Sequence, residues 1–356
     1  MPKRILLLTD DDGFFGQTRK PWVSLDSGRM ACLLRDAGFF VEVRPLYDIM
    51  NGKGVIRDTA IFYTFSQKEN ARQYIKDLLT FLDNGTNRLI PSLDLLRCHE
   101  NKGFQELYKR KYGISSLPAW YFARPEQTER VDLPFPLVLK DVCGTNGKAV
   151  YLVGDRRSLR RQLRKHFTRV SLPVRFDLFR RRYFRKARHY PEYPDYSNEK
   201  DYLQYRSYIR EESNFILQAF VPGLTSDYRV LAVHDRYFVM RRRNRKNDFR
   251  ASGAKRFEFD FDPDPALLDF ARSVYRRCDT PFLSMDLCES DRHFHLLEFQ
   301  ALHFGMSVVS KNRGYWTGSA GSWAFVEARF GLEETMVYGL CRYLDSRERT
   351  GPGDTA

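Results

Sequence analysis

Polar and apolar residues alternate at two different periods over residues 1–90. Short apolar runs are typical of strands, and apolar residues that recur every three or four positions are typical of helices. The pattern predicts strands at Arg4–Thr9, Phe39–Pro45 and Thr59–Thr64, and helices at Trp22–Asp36 and Glu69–Leu82. Strands that alternate with helices favour a parallel sheet with helices on its faces. We therefore expect an N-terminal α/β domain over residues 1–90.

An acidic loop, Thr9–Gln17, follows the first predicted strand. It would lie at the carboxyl end of the sheet, where α/β folds bind ligands. The loop lacks the GxGxxG pattern, which argues against a dinucleotide site. Two interpretations are open: the loop binds a substrate, or it is an acidic turn at the surface.

A short strand at Arg88–Pro91 and a helix at Leu93–Tyr112 come next, with Ser92 as the predicted N-cap. Lys102 lies on this helix. A single helical lysine is usually solvated, so the pattern alone assigns it no role.

A glycine loop stands between two predicted strands. The apolar strand Leu137–Leu139 leads through Lys140 into Gly144–Lys148, and Ala149–Val153 is the second strand. Glycines let backbone N–H groups approach an anion closely, and a lysine at the mouth of the loop supplies positive charge. The spacing does not match the P-loop pattern. A loop over a phosphate chain and an ordinary β-hairpin turn are both open.

The second half of the chain predicts further strands and helices. They are strands at Asn214–Phe220, Arg229–Val233 and Tyr237–Arg241, a helix at Pro265–Cys278, a helical region at Val326–Leu344 and a disordered tail at Arg347–Ala356.

The stretch Pro281–Gly305 is typical of two strands joined by a polar turn. With an apex near Asp291–His293, Asp286 would lie opposite Glu298, with Cβ atoms ~4.5–5.5 Å apart. Gln300 would share their face of the hairpin. Two carboxylates and a side-chain carbonyl suit Mg²⁺. The other interpretation is a solvated strand face that carries acids.

Composition narrows the class of protein. At 356 residues, with 42% hydrophobic and 29% charged residues, the chain predicts a soluble globular protein of two or three domains. No apolar run approaches the ~18 residues of a membrane span, and the run Ile5–Leu8 is too short for a signal peptide. The six cysteines include no CxxC pair, which argues against a zinc site and a disulfide framework and favours the cytoplasm.

Positive charge is concentrated in one block, Arg156–Arg188. The block has fourteen Lys/Arg and one acid, Asp177, and so accounts for +13 of the net charge of +14. Arginines interleaved with aromatic residues suit a polyanion or the headgroup layer of a membrane. An acidic protein or peptide, and a solvated insertion that folds over its own domain, are the other interpretations.

Taken in order, five stretches resemble the ATP-grasp superfamily and, within it, the RimK-like branch of carboxylate–amine ligases. They are LIPSLDLLRCHENK, PLVLKDVCGTNGKAVYLV, FILQAFVPGLTSDYRV, NDFRASG, and MDL with HLLEFQ, within about Arg88–Ser307. The resemblance implies an α/β chain, α+β in the grasp core. A Rossmann-like pre-grasp domain would span 1–90 and an ATP-grasp domain 91–345, followed by a tail at 346–356. The nucleotide-binding subdomain would span about 115–220, with a basic insertion at 156–212, and the metal-binding subdomain about 221–345.

The resemblance also implies roles for single residues. It places Lys102 and Lys140 on the nucleotide phosphates, Asp227 at the ribose and Arg250 opposite the γ-phosphate, with Lys140 and Arg250 as the catalytic residues. The adenine hinge would consist of Gln218, Ala219, Phe220 and Val221. The magnesium ligands would be Asp286, Glu298 and Gln300, for two Mg²⁺ ions, with Mn²⁺ as an alternative. Ser252 would also bind the nucleotide, through a phosphate contact. The sequence departs from the family at Gln300 and Ser252, where Asn is usual.

The implied activity is an ATP- and Mg²⁺-dependent ligation of a carboxylate to an amine through an acyl phosphate. Two alternatives remain: an ATP-grasp kinase that phosphorylates a hydroxyl, and a nucleotide-binding or polyanion-binding module that has lost catalysis. The partners would be ATP, a carboxylate and an amine, and the basic block would contact an acidic peptide, a polyanion or an anionic surface. The residues do not specify the carboxylate or the amine.

Overall fold

Two units make up the fold, and one is inserted into the other along the chain. The first unit combines Met1–Leu117 with Val221–Ala356, and the inserted unit is Pro118–Phe220. The computed structural model describes residues 3–17, 22–52, 55–99, 101–143, 149–184, 198–245, 248–250, 256–259 and 261–349. The finer division of the first unit at residue 90 stays a prediction.

The N-terminal part of the first unit alternates strands and helices, as the hydrophobic pattern predicts. Its elements are β1 (Arg4–Thr9), α1 (Ser27–Asp36), β2 (Phe40–Pro45), α2 (Tyr47–Asn51), β3 (Ala60–Tyr63), α3 (Glu69–Leu82), β4 (Arg88–Ile90), α4 (Leu93–Cys98) and α5 (Lys102–Lys111). The four strands are parallel, in the order β2-β1-β3-β4. The central strand β1 is buried from Ile5 onward because strands flank it on both sides.

One helix prediction in this part was wrong at its start, and another was wrong in its middle. The helix predicted from Trp22 begins at Ser27, because the Asp26 side chain accepts a hydrogen bond from the backbone N–H of Arg29 and so caps α1. The single helix predicted over Leu93–Tyr112 is two helices. The backbone is extended at His99, which ends α4. Asn101 is the N-cap of α5, because its side chain accepts a hydrogen bond from the N–H of Phe104.

The inserted unit carries an antiparallel sheet, and its α-helices lie along the chain between the third and the fourth strand of that sheet. Its elements are β5 (Ala119–Phe122), a 3-10 helix (Pro125–Arg130), β6 (Leu137–Asp141), β7 (Val150–Val153), α6 (Arg156–His166), β8 (Thr168–Arg169), α7 (Leu172–Tyr183), α8 (Glu199–Tyr208), β9 (Glu211–Glu212) and β10 (Phe215–Ala219). The sheet order is β5-β10-β6-β7, and β8 pairs with β9. Its core includes Leu137, Leu139, Leu163, Phe167 and Phe215. The glycine loop Gly144–Lys148 lies outside the described residues.

The C-terminal part of the first unit is built on a second antiparallel sheet. Its elements are β11 (Ser226–Val233), β12 (Arg236–Arg243), β13 (Phe257–Glu258), α9 (Pro265–Tyr275), β14 (Phe282–Ser290), β15 (His293–Gln300), α10 (Ser307–Lys311), β16 (Gly314–Ser319), β17 (Ser322–Glu327) and α11 (Leu332–Arg349). The strand order is β15-β14-β11-β12-β16-β17, and β13 lies beside β12.

The predicted C-terminal helix and tail need correction. Val326 belongs to β17, which forms an unpredicted hairpin with β16, and the helix begins only at Leu332. The same helix continues to Arg349, so the predicted tail is helical at its start; Thr350 and the residues after it lie outside the described part. In the described ranges, no helix has both the length and the apolar content that crossing a membrane requires.

Candidate functional site

The β14–β15 hairpin brings the predicted metal ligands to one place. Asp286 lies opposite Glu298, and the apex residues Asp291 and Arg292 have the positive φ angles of a tight two-residue turn. The predicted register is therefore confirmed. Gln300 follows on the same face, with its Nε2 3.4 Å from Oε1 of Glu298.

Asp286 is bound by an arginine that faces it across the sheet. Arg229 on β11 is the cross-strand partner of Asp286 on β14. Its Nε donates to Oδ1 at 2.8 Å, and a terminal nitrogen donates to Oδ2 at 2.9 Å. This bidentate geometry is the strongest form of a guanidinium–carboxylate pair.

A second arginine links Asp286 to Asp227. Arg242 on β12 faces Asp227 on β11 and binds both of its carboxylate oxygens, at 2.6 and 2.7 Å. A terminal nitrogen of Arg242 also lies 2.9 Å from Oδ2 of Asp286. Two carboxylates and two guanidinium groups thus form one network, and their charges cancel.

Burial and ion pairing act in opposite directions on the two carboxylates of this network. Burial raises the pKa of Asp227, although Arg242 opposes the shift. Burial also acts on Asp286, but the charges of Arg229 and Arg242 outweigh it and hold the pKa of Asp286 below its ordinary value. Asp286 therefore stays ionised at neutral pH.

Lys102 is the first residue of α5 and is buried beside the hairpin. Its Nζ lies 3.8 Å from Oε2 of Glu298. The two α-helices α4 and α5 put this lysine at a helix start, where the single predicted helix would have put it in the interior of a helix. The structure therefore brings Lys102, Glu298 and Gln300 together.

In the inserted unit, Lys140 and Gln218 point at each other from neighbouring strands. Nζ of Lys140 on β6 donates to Oε1 of Gln218 on β10 at 2.5 Å. Gln218 is 1% exposed, and its Nε2 has no hydrogen-bond partner in the described part of the chain. A buried amide donor without a partner is costly, and a ligand acceptor would satisfy it.

The predicted adenine hinge begins where β10 ends. Ala219 donates its backbone N–H to the carbonyl of Pro118 at 2.8 Å, and Phe220 and Val221 follow outside the strand. This hydrogen bond fixes the direction in which the chain leaves the strand. The role of these residues toward adenine stays a prediction.

Arg250 pairs with a near neighbour. Its Nε and a terminal nitrogen each lie 3.0 Å from an oxygen of Asp248. Ser252 lies outside the described residues.

The predicted ligands fit Mg²⁺ in their chemistry, since all three offer oxygen atoms. A carboxylate has about four acceptor positions. Three of those on Asp286 accept N–H groups of Arg229 and Arg242, which leaves one on Oδ1 for a cation. Within the described ranges, no three His, Cys, Asp or Glu side chains converge as a metal cluster. The predicted site instead combines the two carboxylates of Asp286 and Glu298 with the side-chain amide of Gln300.

The acidic loop Thr9–Gln17 is anchored at its far end. Gln17 is buried, donates to the carbonyl of Tyr63 at 2.6 Å and accepts from the N–H of His303 at 3.1 Å. Asp10, Asp11 and Asp12 are exposed. The loop therefore combines a fixed end with a solvated acidic start.

Sequence reasoning missed Arg229 and Arg242 as site residues. Asp227 and Arg229 are two positions apart, so they point to one face of β11, and this Asp-x-Arg spacing was the available signal. Their partners could not be found in the same way, because they lie on β14 and β12.

Comparisons with known proteins identify the fold. No protein-family model matches the chain, and no curated protein has a significantly similar sequence. Among solved structures, a RimK domain ATP-grasp protein from Sphaerobacter thermophilus is similar with a TM-score of 0.51 at 12% identity, over 95% of this chain and 98% of that one. The ADP complex of purK, an N5-carboxyaminoimidazole ribonucleotide synthetase, is similar with a TM-score of 0.50 at 12% identity, over 88% of this chain and 74% of that one.

The chain has the ATP-grasp fold, as the order of its sequence motifs predicts. The α/β class is confirmed with it, since a parallel sheet and antiparallel sheets are both present. At 12% identity the similarity extends to the fold alone.

Proposed function

We propose that this chain is an ATP-dependent carboxylate–amine ligase that forms an amide or peptide bond through an acyl phosphate. The observation that carries the proposal is the opposed pair Asp286 and Glu298, with Gln300 beside it and Lys102 3.8 Å from Glu298, on an ATP-grasp fold. Oxygen ligands beside a buried lysine suit a magnesium-bound phosphate chain.

The proposed reaction needs no protein nucleophile. A substrate carboxylate attacks the γ-phosphorus of ATP, which gives an acyl phosphate and ADP. An amine then attacks the carbonyl carbon, phosphate leaves and the amine loses a proton. Lys102, Lys140 and Arg250 would stabilise the charge that moves during these steps.

Nucleotide binding is assigned by the resemblance and supported by geometry at one pair. Lys140 donates to Gln218, and the Nε2 of Gln218 is buried without a partner among the described residues. Both would contact the nucleotide, with Ala219, Phe220 and Val221 as the hinge. Both carboxylate oxygens of Asp227 accept hydrogen bonds from Arg242. We therefore propose that Asp227 affects ribose binding only indirectly, by ordering strand β11.

Magnesium would be held by Asp286, Glu298 and Gln300. When bound, it neutralises negative charge on the phosphate oxygens during transfer. Arg229 and Arg242 keep Asp286 ionised and fix the orientation of its carboxylate. The protein therefore also sets the direction of the one remaining acceptor position, on Oδ1. The number of ions, and the use of Mn²⁺, belong to the proposal.

The test uses Glu298→Ala and, as a matched control, Glu289→Ala, which removes an exposed carboxylate from the same hairpin. ADP release is measured with ATP, Mg²⁺, hydroxylamine and a panel of amino acids, dicarboxylic acids and acidic peptides. We expect hydroxamate and ADP from one member of the panel, unchanged in the control and lost in Glu298→Ala. Wild-type rates in Glu298→Ala would contradict the metal assignment. ADP released with a hydroxyl compound and no hydroxamate would indicate a kinase.

One observation favours a second candidate, a nucleotide-binding module without catalysis. Two guanidinium groups already occupy most acceptor positions of Asp286, and Gln300 replaces the usual Asn. Such a module would bind the analogue AMPPNP with or without Mg²⁺ and would release no ADP with any carboxylate. Calorimetric titration with AMPPNP at both metal conditions separates the two candidates.

A further inference from the structure

Helix α7 exposes a continuous apolar stripe. Leu172, Phe176, Phe179 and Tyr183 recur at a spacing of four, three and four residues, and their exposures are 67%, 73%, 55% and 68%. At about 3.6 residues per turn this spacing puts all four on one line along the helix. Large apolar residues that share a line and stay exposed mark a surface that binds something.

Arginines border this stripe on both sides. The helical period places Arg180 along one edge and Arg175 and Arg182 along the other. The opposite face of α7 is occupied within the protein. There Arg181 lies over the ring of Tyr205 on α8, 4.3 Å from its centroid. The stripe is therefore the face that the packing of α7 against α8 leaves open.

The single acid on α7, Asp177, does not cancel the positive charge of the arginines on this helix. Asp177 is bound by Arg180, Arg181 and the hydroxyl of Tyr205. These contacts hold the pKa of Asp177 well below its ordinary value, even though burial acts the other way. Glu199 of α8 pairs with Arg182 at 2.5 Å. Two acids thus face the four arginines of α7, which leaves a net positive charge on this helix.

More positive charge surrounds the cavity behind the stripe. A cavity of about 880 Å³ has the aliphatic side chains of Val170, Val174, Leu178 and Leu203 in its wall, together with five arginines: Arg124, Arg130, Arg164, Arg206 and Arg210. Glu126, which is also in the wall, pairs with Arg210, and Glu212 pairs with Arg124 and Arg210. In the described part of the chain, the other three arginines, Arg130, Arg164 and Arg206, form no ion pair. Apolar walls and unneutralised arginines together match an anionic amphiphile.

We propose that helix α7 docks on an anionic lipid bilayer, with the stripe at the boundary of headgroups and acyl chains. The aromatic rings and Leu172 would enter the apolar edge of the layer, and Arg175 and Arg180 would reach the lipid phosphates. A straight line of apolar groups on one helix lies at a single depth in a planar layer. Leu172 has no π-face on which a base could stack, so a nucleic-acid strand fits less well.

Binding is measured by sedimentation of the full chain with vesicles. Vesicles of phosphatidylcholine with phosphatidylglycerol are compared with vesicles of phosphatidylcholine alone. We expect binding only to the anionic vesicles, and weaker binding at high salt, because exposed charges are screened. The double variant F176S/F179S should lower the partition coefficient by at least about tenfold, because two aromatic side chains no longer leave water. Arg175→Gln should lower it at low salt.

Matched controls lie on the first unit. Phe81→Ser removes a ring that is 62% exposed on α3, and Arg57→Gln removes an exposed arginine; neither should change binding. In Phe176→Trp, the added emission should shift to the blue with anionic vesicles and stay unchanged with neutral ones. This fluorescence measurement still tests the proposal if the double variant F176S/F179S folds poorly.

Three outcomes would overturn the proposal. They are no binding to either vesicle type, equal loss in Phe81→Ser and F176S/F179S, and binding to single-stranded RNA but not to vesicles. The last outcome would assign the surface to a nucleic acid. Nucleotide binding is not a readout, so the result is independent of the proposed ligase activity.

Discussion

Arg242 and Asp227 face each other across β11 and β12 and form two hydrogen bonds of 2.6 and 2.7 Å. Their side chains are 5% and 6% exposed. The same guanidinium reaches Asp286 on β14, so one buried cation joins two carboxylates from different strands. The network holds β14, the strand that carries the candidate metal ligand Asp286. Loss of the network should therefore affect both the stability of the fold and the candidate site.

Removal of Arg242 should destabilise the fold strongly. Arg242→Met leaves Asp227 buried without its partner, and breaking a buried pair in this way costs about 3–5 kcal/mol. Urea denaturation followed by far-UV circular dichroism measures the change. The control is Arg243→Met, which removes an exposed arginine paired with Glu258 and should cost less than about 1 kcal/mol. Equal losses in the two variants would show that the buried network contributes no more than a surface pair.

The Asp286 pair should make stability depend on pH at the acid end. Because Arg229 and Arg242 lower the pKa of Asp286 in the folded state against the effect of burial, its contribution is present above the unfolded value of about 4. The contribution is lost as the pH falls below that value toward the folded pKa. The difference in unfolding free energy between wild type and Asp286→Asn should therefore shrink as the pH falls from about 5 to about 2.

Glu289→Gln is the control for this pH series, because Glu289 is an exposed carboxylate of the same hairpin. It should follow the wild type throughout. A difference for Asp286→Asn that stays constant over the whole range would mean that packing, and not the charge of Asp286, supplies the stability.

The sequence predicted those parts of the site that depend on local pattern. The β14–β15 register followed from two apolar runs around a polar turn, so the opposition of Asp286 and Glu298 could be derived. The parallel arrangement of β1, β2 and β3 followed from the alternation of periods, whereas β4 was predicted only as a separate short strand. Both features are set by residues close together along the chain.

Features that depend on distant strands could not be predicted in this way. Arg229 meets Asp286 only because β11 lies beside β14, and nothing local specifies that neighbour. The β16–β17 hairpin was also missed, since its mixed polar and apolar residues resemble a helix face. The break between α4 and α5 depends on a side-chain cap at Asn101, which competes with a continuous helical pattern.

Thiol reactivity should distinguish the cysteines by their burial. Cys32 and Cys143 are exposed, whereas Cys98, Cys278 and Cys288 are buried. Burial raises the pKa of Cys278 to about 12, and the thiolate is the reactive species. With Ellman's reagent at pH 8, the native protein should show a fast phase of two thiols that C32S/C143S abolishes. All six cysteines should react in guanidinium chloride.

The number of thiols that react in the fast phase is the result that decides this test. A fast phase of more than two thiols, with unchanged far-UV circular dichroism, would contradict the placement of the buried cysteines. Cys341 is half-buried and its pKa is raised by burial to about 11, so it should react in the slow phase.

Lys140 should contribute to nucleotide affinity through its charge. Its hydrogen bond to Gln218 holds Nζ on the sheet, and a hydrogen bond to a charged group is worth about 1.5–3 kcal/mol. Lys140→Met should therefore weaken binding of AMPPNP by roughly tenfold to a hundredfold. Calorimetric titration measures the dissociation constant.

Lys165→Met provides the matched control, because it removes an exposed lysine from α6 of the same unit. Its dissociation constant for AMPPNP should equal that of the wild type. The double variant K140M/Q218L removes both partners and the buried amide donor, so it should unfold no more readily than Lys140→Met alone while binding no more nucleotide. Wild-type affinity in Lys140→Met would contradict the phosphate assignment and would leave the Lys140–Gln218 pair as a structural contact of the sheet.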